Sequence, residues 1–229
     1  MLDRLTINSP AAFENLDVSL AAIEKLGGQR QRVSEFLQYR PLINNFNWRP
    51  GPHDDFHTWR VLAITAAGGR LVQKERPNLG LNQTALELTA AIHDSARTID
   101  HAPDWGHGWR AAQWAKANLK DQIDAKTLSQ VRFLCTFHAL PDQLKVLPKS
   151  ILRHTSLLLS LALFKDFDGV DRFRNGSDLR VDFLRLGVSR VMLPVAKRLH
   201  DATEARKDEG IPAMEIVATE AKRLGLMIE

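Results

Sequence analysis

Ala90-Ala91-Ile92-His93-Asp94-Ser95-Ala96-Arg97, near the middle of the chain, is the stretch on which the fold turns. Upstream, Thr84 and Glu87 have the T-x-x-E spacing of a capping box, which predicts a helix that starts there and runs through the His-Asp doublet. Leu86, Ala90, His93 and Asp94 fall on one face of that helix. Leu88, Ala91 and Ile92 make the other side apolar as well. A helix apolar on all sides is buried. An imidazole and a carboxylate inside it each need a partner, which a divalent cation would supply to both at once. Hydrogen bonds to backbone at a helix end would also satisfy them.

Outward from the doublet, helical periodicity recurs and period-two alternation is almost absent, so the expected fold is all-α. Ser9-Pro10 should open a helix that Gly27-Gly28 closes, and a second should cover Gln29 to Gln38, placing N-terminal helices over about 9–40. Pro41 to Pro52 reads as irregular. Asp54 or Asp55 should cap a helix that carries His57, Val61 and Ile64 on one face and ends at Gly68-Gly69. Glu75 to Asn82 and Asp100 to Gly106 read as loops. His107 should open a helix that aligns it with Ala111, Trp114 and Ala115. A further helix from Thr127 aligns Val131, Leu134, Cys135 and His138 before Pro141 stops it. Ile151 to about Phe173 is apolar until Lys165-Asp166-Phe167-Asp168-Gly169-Val170-Asp171-Arg172, with Leu157, Leu161, Phe164, Asp168 and Asp171 on one face. Two last helices, near Pro194 to Glu209 and Pro212 to Leu224, fall within about 190–226, with Gly225 as a C-terminal cap. No repeat or linker interrupts the 229 residues, which read as a single domain with a core at about 54–186.

Composition narrows the class. Apolar residues at 44% and charged residues at 25% are ordinary for a globular protein. Met1 to Leu20 lacks a signal-peptide pattern, and the longest apolar run, Leu157 to Phe164, is too short to span a bilayer. Cys135 is the single cysteine, which excludes an internal disulfide and leans toward a reducing cytoplasm. The net charge is +4, and Lys145 to His200 holds eleven Lys and Arg against five Asp. Such a surface attracts a phosphate-bearing ligand, although a solvated helical face has the same composition.

Five helices each place a histidine or aspartate on an otherwise apolar face: His57, His93 with Asp94, His107, His138 and Asp168. Convergence on one site is the cheapest way to satisfy them all. Mixed nitrogen and oxygen ligands suit Mn, Fe, Ni, Co, Zn or Mg, and the lack of thiolate spacing argues against structural zinc.

The order H…HD…H…H…D resembles the HD superfamily of metal-dependent phosphohydrolases. His93-Asp94-Ser95-Ala96-Arg97 is similar to the family's HD-I-G-K/R, with Ser95 and Ala96 in place of Ile-Gly. His107-Gly108-x-x-Ala111-Ala112 is similar to HG-x-x-SA, and Asp166 to Arg172 to D-A-D-x-L-D-R. Asp178-Leu179 and Leu184-Arg185 resemble the D-L…L-R that follows. The likeness covers roughly Phe56 to Arg185. It implies an HD-type helical bundle with extra N- and C-terminal helices, and a divalent metal held by His57, His93, Asp94 and Asp168. His107 and His138 would hold a second ion, with Asp94 bridging, or would face substrate phosphate over a single one. His53, one turn before His57, is a substitute ligand or an exposed residue at the helix entry. Asp166 would pair with a neighbour or contact substrate, and Asp171 would orient a neighbouring group.

The implied activity is hydrolysis of a phosphate ester or anhydride, of a nucleotide above all, by a metal-activated hydroxide. Asp94, Arg97 and Asp168 would carry the chemistry. Arg97, Lys165 and Arg172 would bind the phosphate, or form structural ion pairs. Ala139-Leu140-Pro141-Asp142 lacks the GYP-like motif of the cyclic di-GMP branch. Two alternatives stand beside this reading: a metal-dependent nuclease on single-stranded nucleic acid, and a catalytically weak HD domain that binds a nucleotide or protein partner. No membrane partner is implied.

Overall fold

The computed structural model describes residues 16–46, 53–98, 104–141, 147, 153–175, 181 and 184–229. The helix start at Ser9-Pro10, His101 and the Asp178-Leu179 pair lie outside them. The fold is all-α. Helices α1 (Leu16–Glu24), α2 (Val33–Leu37) and α3 (Arg40–Ile43) precede the long α4 (Asp55–Glu75). Next come α5 (Gln83–Ile92), α6 (His107–Leu119), α7 (Ala125–His138), α8 (Thr155–Val170), α9 (Gly187–Glu204) and α10 (Ala213–Arg223). The strand pairing among the described residues is a short parallel one, β1 (Gln31–Arg32) with β2 (Met227–Ile228). No described helix is long and apolar enough to cross a membrane.

The long α4 is the central post. Its residues are buried almost continuously from Phe56 to Val72, as a helix apolar on all sides requires, and α5, α8, α9 and α10 pack around it. It does not end at Gly68-Gly69, because those glycines serve packing rather than termination. A methyl on Gly68 would stand 2.2 Å from the Phe167 ring of α8, and one on Gly69 would stand 2.4 Å from the Gln83 amide oxygen. Neither has the left-handed conformation of a terminating glycine; Gly80 (φ 64°) and Gly225 (φ 72°) do.

Other boundaries also move from their expected places. α5 is capped by Asn82, whose side chain accepts the Ala85 N–H at 3.0 Å, and not by a Thr84–Glu87 box. Glu87 is engaged elsewhere: its buried carboxylate accepts from Gln31, Tyr39, Arg70 and Gln83. The helix also stops at Ile92, so His93 is its C-cap and Asp94 lies in the turn beyond. Side chains end it: His93 Nδ1 takes the Ala90 carbonyl at 3.0 Å and Ser95 Oγ the Ile92 carbonyl at 2.6 Å.

Pro41 sits in the first turn of the short α3, where a missing N–H costs nothing, rather than in an irregular stretch. α9 opens at Gly187 and runs on through Pro194, since Val191, Met192, Val195 and Ala196 keep its core face continuous on both sides of the proline. α8 gives way after Val170 to a 3-10 turn, Asp171–Asn175.

Candidate metal centre

Five helix ends meet at one place. His57 and His107 lie in the first turns of α4 and α6, while His93, His138 and Asp168 lie at the last turns of α5, α7 and α8. Asp94 follows α5 directly. The Asp54 carboxylate caps α4 by accepting the His57 N–H at 3.0 Å. Gly108 lets α6 press against α7.

The four buried histidines among the described residues share one hydrogen-bonding logic. Nδ1 of His93 faces the Ala90 carbonyl at 3.0 Å, Nδ1 of His138 the Cys135 carbonyl at 2.7 Å, and Nδ1 of His107 the Asp104 carbonyl. Nδ1 of His57 faces Asp171 Oδ2 at 2.8 Å. Carbonyls and carboxylates only accept, so each Nδ1 carries the hydrogen, and in the neutral ring Nε2 is left with a lone pair. These Nε2 atoms face one another in two pairs: His57 with His93 at 3.3 Å, and His107 with His138 at 2.9 Å. Lone pairs so opposed require a cation between them, whether a proton or a metal ion.

Asp94 stands between the pairs. Its Oδ2 lies 3.6 Å from His57 Nε2 and 3.4 Å from His93 Nε2; its Oδ1 lies 3.0 Å from His107 Nε2 and 3.8 Å from His138 Nε2. Asp168 Oδ1 joins the first pair at 3.3 Å from His57 and 3.7 Å from His93. His57, His93 and Asp168 thus form one group that could hold a metal ion, and His93, Asp94 and His138 another. Imidazole nitrogens and carboxylate oxygens at this spacing fit a divalent cation of the first transition row or Mg.

Burial pushes the Asp94 and Asp168 carboxyls up, but the imidazoles around them win. His93 leads for Asp94 and His57 for Asp168, and both acids are held well below the ordinary carboxylate range. Burial opposes charge on His93, yet Asp94 and Asp168 raise it above the usual imidazole value. Burial pushes the His138 imidazole down. Two anions and one poised imidazole leave the pocket ready to exchange protons for a metal ion.

His53 is not an exposed residue at the helix entry. Its Nδ1 lies 2.7 Å from Asp94 Oδ2, and together with His57 and Asp94 it forms a third possible metal-holding group. Its place four residues before His57 is the sequence signal for this. Asp171 orients the His57 ring. Arg97 lies 3.7 Å from Asp94 Oδ1 at the rim, with 15% of its side chain exposed. Asp166 points away from the centre, buried, and accepts the Arg185 and Leu186 backbone N–H groups and the Arg185 guanidinium at 2.7 Å. Lys165 donates to the Leu140 carbonyl at 2.6 Å, and Arg172 is exposed on the 3-10 turn. Sequence reasoning missed Arg60, which is wholly buried and grips Asp171 with Nε at 2.8 Å.

Comparison with protein-family models, curated proteins and solved structures finds no match.

Proposed function

We propose that this chain is an HD-superfamily, metal-dependent phosphohydrolase acting on a nucleotide ester or anhydride. One observation carries the reading: a single carboxylate, Asp94, turns one oxygen to each of two imidazole pairs whose remaining nitrogens are committed elsewhere. That is the arrangement of a carboxylate bridging two metal positions. His57, His93 and Asp168 would complete one position, and His107 and His138 the other. When bound, a divalent ion there supplies a Lewis acid for the phosphoryl oxygen and lowers the pKa of water toward about 7.

The chain's own groups do the rest. Asp94 and Asp168 bring the negative charge that holds the ion in a buried site. Arg97 sits at the rim beside Asp94, placed to take the charge of a bound phosphate. Trp105 and Trp109, 58% and 57% exposed, lie two residues either side of His107 and present stacking faces for a nucleobase. They also favour the second reading, a nuclease on single-stranded nucleic acid, because every base offers a π-face.

Elemental analysis of protein loaded with Mn, Ni or Co should find one to two ions per chain. Phosphate release should then be screened across nucleotides, cyclic dinucleotides and single-stranded DNA, with bis(p-nitrophenyl) phosphate as a base-free substrate. A chain that stays empty in saturating metal refutes the reading. His107→Ala and His138→Ala separate the site models: loss of about one equivalent makes each a ligand, and full occupancy makes it a substrate contact.

A further inference from the structure

Arg60 lies on α4 one turn past His57 and is wholly buried. Its Nε donates to Asp171 Oδ1 at 2.8 Å and its Nη2 to Oδ2 at 3.2 Å, a two-pronged grip. The same Oδ2 accepts the Nδ1 hydrogen of His57 at 2.8 Å. The remaining Nη1 reaches Thr203 Oγ1 at 3.2 Å and Glu204 Oε1 at 3.0 Å, in the last turn of α9. Just beyond, Lys207 donates at 2.7 Å to Oδ2 of Asp54, whose Oδ1 accepts the His57 backbone N–H. Two separate ties therefore run from the end of α9 to His57, one to its ring and one to its backbone.

We propose that Arg60 is a positioning residue for the metal centre, and that the end of α9 anchors it. As packing alone the arrangement makes little sense, because a buried ion pair is commonly matched or bettered by apolar side chains of similar volume. Its use lies in geometry. The guanidinium fork fixes both oxygens of Asp171 as acceptors, and Asp171 in turn fixes the His57 ring with Nδ1 protonated and Nε2 aimed at Asp94 and Asp168. A lysine at this position would supply charge without the fork. α9 lies beyond the Phe56–Arg185 span of the family likeness, so this chain braces a core ligand with helix that the likeness does not include. The inference rests on the reading of His57 as a ligand.

Cobalt(II) titration with absorption spectra, ¹⁵N NMR of the histidine rings in metal-free protein, and thermal unfolding would be run on the whole chain and on Arg60→Gln, Arg60→Lys and Glu204→Gln. Arg60→Gln should lose about 10–100-fold in cobalt affinity, the usual cost of a broken support behind a metal-ligating histidine. The His57 nitrogens should also move toward a mixed tautomer. Arg60→Lys should recover stability without recovering the cobalt spectrum, an outcome that a purely structural role would not give. If both Arg60 variants fail to fold, Glu204→Gln decides, since its side chain is one-third exposed (34%) and keeps its shape. It should cost about threefold in cobalt affinity, as an ion pair becomes a hydrogen bond from the guanidinium to an uncharged amide oxygen. A folded variant from this set with wild-type cobalt affinity, spectrum and His57 shifts overturns the proposal. If the wild type itself binds no cobalt, the metal reading fails, and the His57 shifts of metal-free protein still decide whether Arg60 sets the ring.

Discussion

Gly108 lies so close to Cys135 that a methyl group on it would stand 2.2 Å from the Cys135 carbonyl oxygen. That carbonyl also accepts Nδ1 of His138 at 2.7 Å, and His107 is the glycine's neighbour. The contact therefore sets the distance between the two histidines of one pair.

Gly108→Ala should push α6 away from α7, because a backbone carbonyl cannot yield as a side chain can. Overpacking of this kind costs about 1–3 kcal/mol, seen as a lower unfolding temperature. The damage should fall on the His107–His138 pair and spare His57, His93 and Asp168, so a two-ion protein should retain about one equivalent. Metal analysis and calorimetry on the same sample check this, and unchanged occupancy with unchanged stability would show that α6 has room to spare.

Asp94→Ala should abolish metal binding and turnover while leaving the helices intact. Asp94 contributes to both imidazole pairs, so its loss removes the anion that offsets a cation in a buried pocket. Activity should fall by orders of magnitude, because nucleophile and Lewis acid are lost together. Folding should survive, since Asp94 sits in a turn after α5 and the framework is held by apolar packing. Metal content, circular dichroism and phosphate release on one preparation test it. A folded variant with near-normal metal and activity would refute the mechanism.

The pH dependence should reverse sign when metal is added. The raised value of His93 contributes stability that is complete below about pH 6.5, its unfolded value, and is lost as pH climbs through the folded one. The depressed values of Asp94 and Asp168 contribute stability that is complete above about pH 4 and is lost only in stronger acid. His138, whose imidazole is held down by burial, works the other way below about pH 6.5, so the His93 effect is read above that value: metal-free protein should soften as pH rises past about 6.5, while metal affinity should rise as His93 gives up its proton. Thermal unfolding with and without cobalt across this range is the measurement. A flat metal-free profile above about pH 6 would mean that no imidazolium lies between the two carboxylates.

The all-α class and the convergence of His57, His93, Asp94, His107, His138 and Asp168 were legible because each polar residue breaks an apolar helical stripe, a local signal. What failed was set by distant partners. Gly68-Gly69 has the composition of a helix stop, and only the Phe167 ring and the Gln83 side chain make it a packing surface. Thr84 and Glu87 have the spacing of a cap, but donors as far away as Gln31 and Tyr39 hold the carboxylate. The doublet reads as mid-helix because nothing in Ser95 and Ala96 looks like a terminator; the side-chain bonds that end α5 come from His93 and Ser95 themselves. Arg60 did carry a signal, three residues from His57 on the same buried face, but its meaning depended on Asp171 and Glu204.

Trp109→Ala should separate recognition from chemistry. Trp105 and Trp109 are four residues apart at the start of α6, so they share a face, and both are more than half exposed. Two residues of chain span at most about 7 Å, which keeps both backbones close to that of His107. A base stacked on an aromatic ring is worth about 1–3 kcal/mol, so removing one ring should raise KM for a nucleotide or oligonucleotide by about 5–150-fold. kcat should hold, because neither tryptophan is among the candidate metal-holding groups. Bis(p-nitrophenyl) phosphate, which has no base, should be hydrolysed by Trp109→Ala as by wild type. Steady-state kinetics on both substrates, with quenching of tryptophan fluorescence by a short oligonucleotide, make the comparison. Equal losses on the two substrates would remove the tryptophans from substrate recognition and leave the metal centre untouched as a claim.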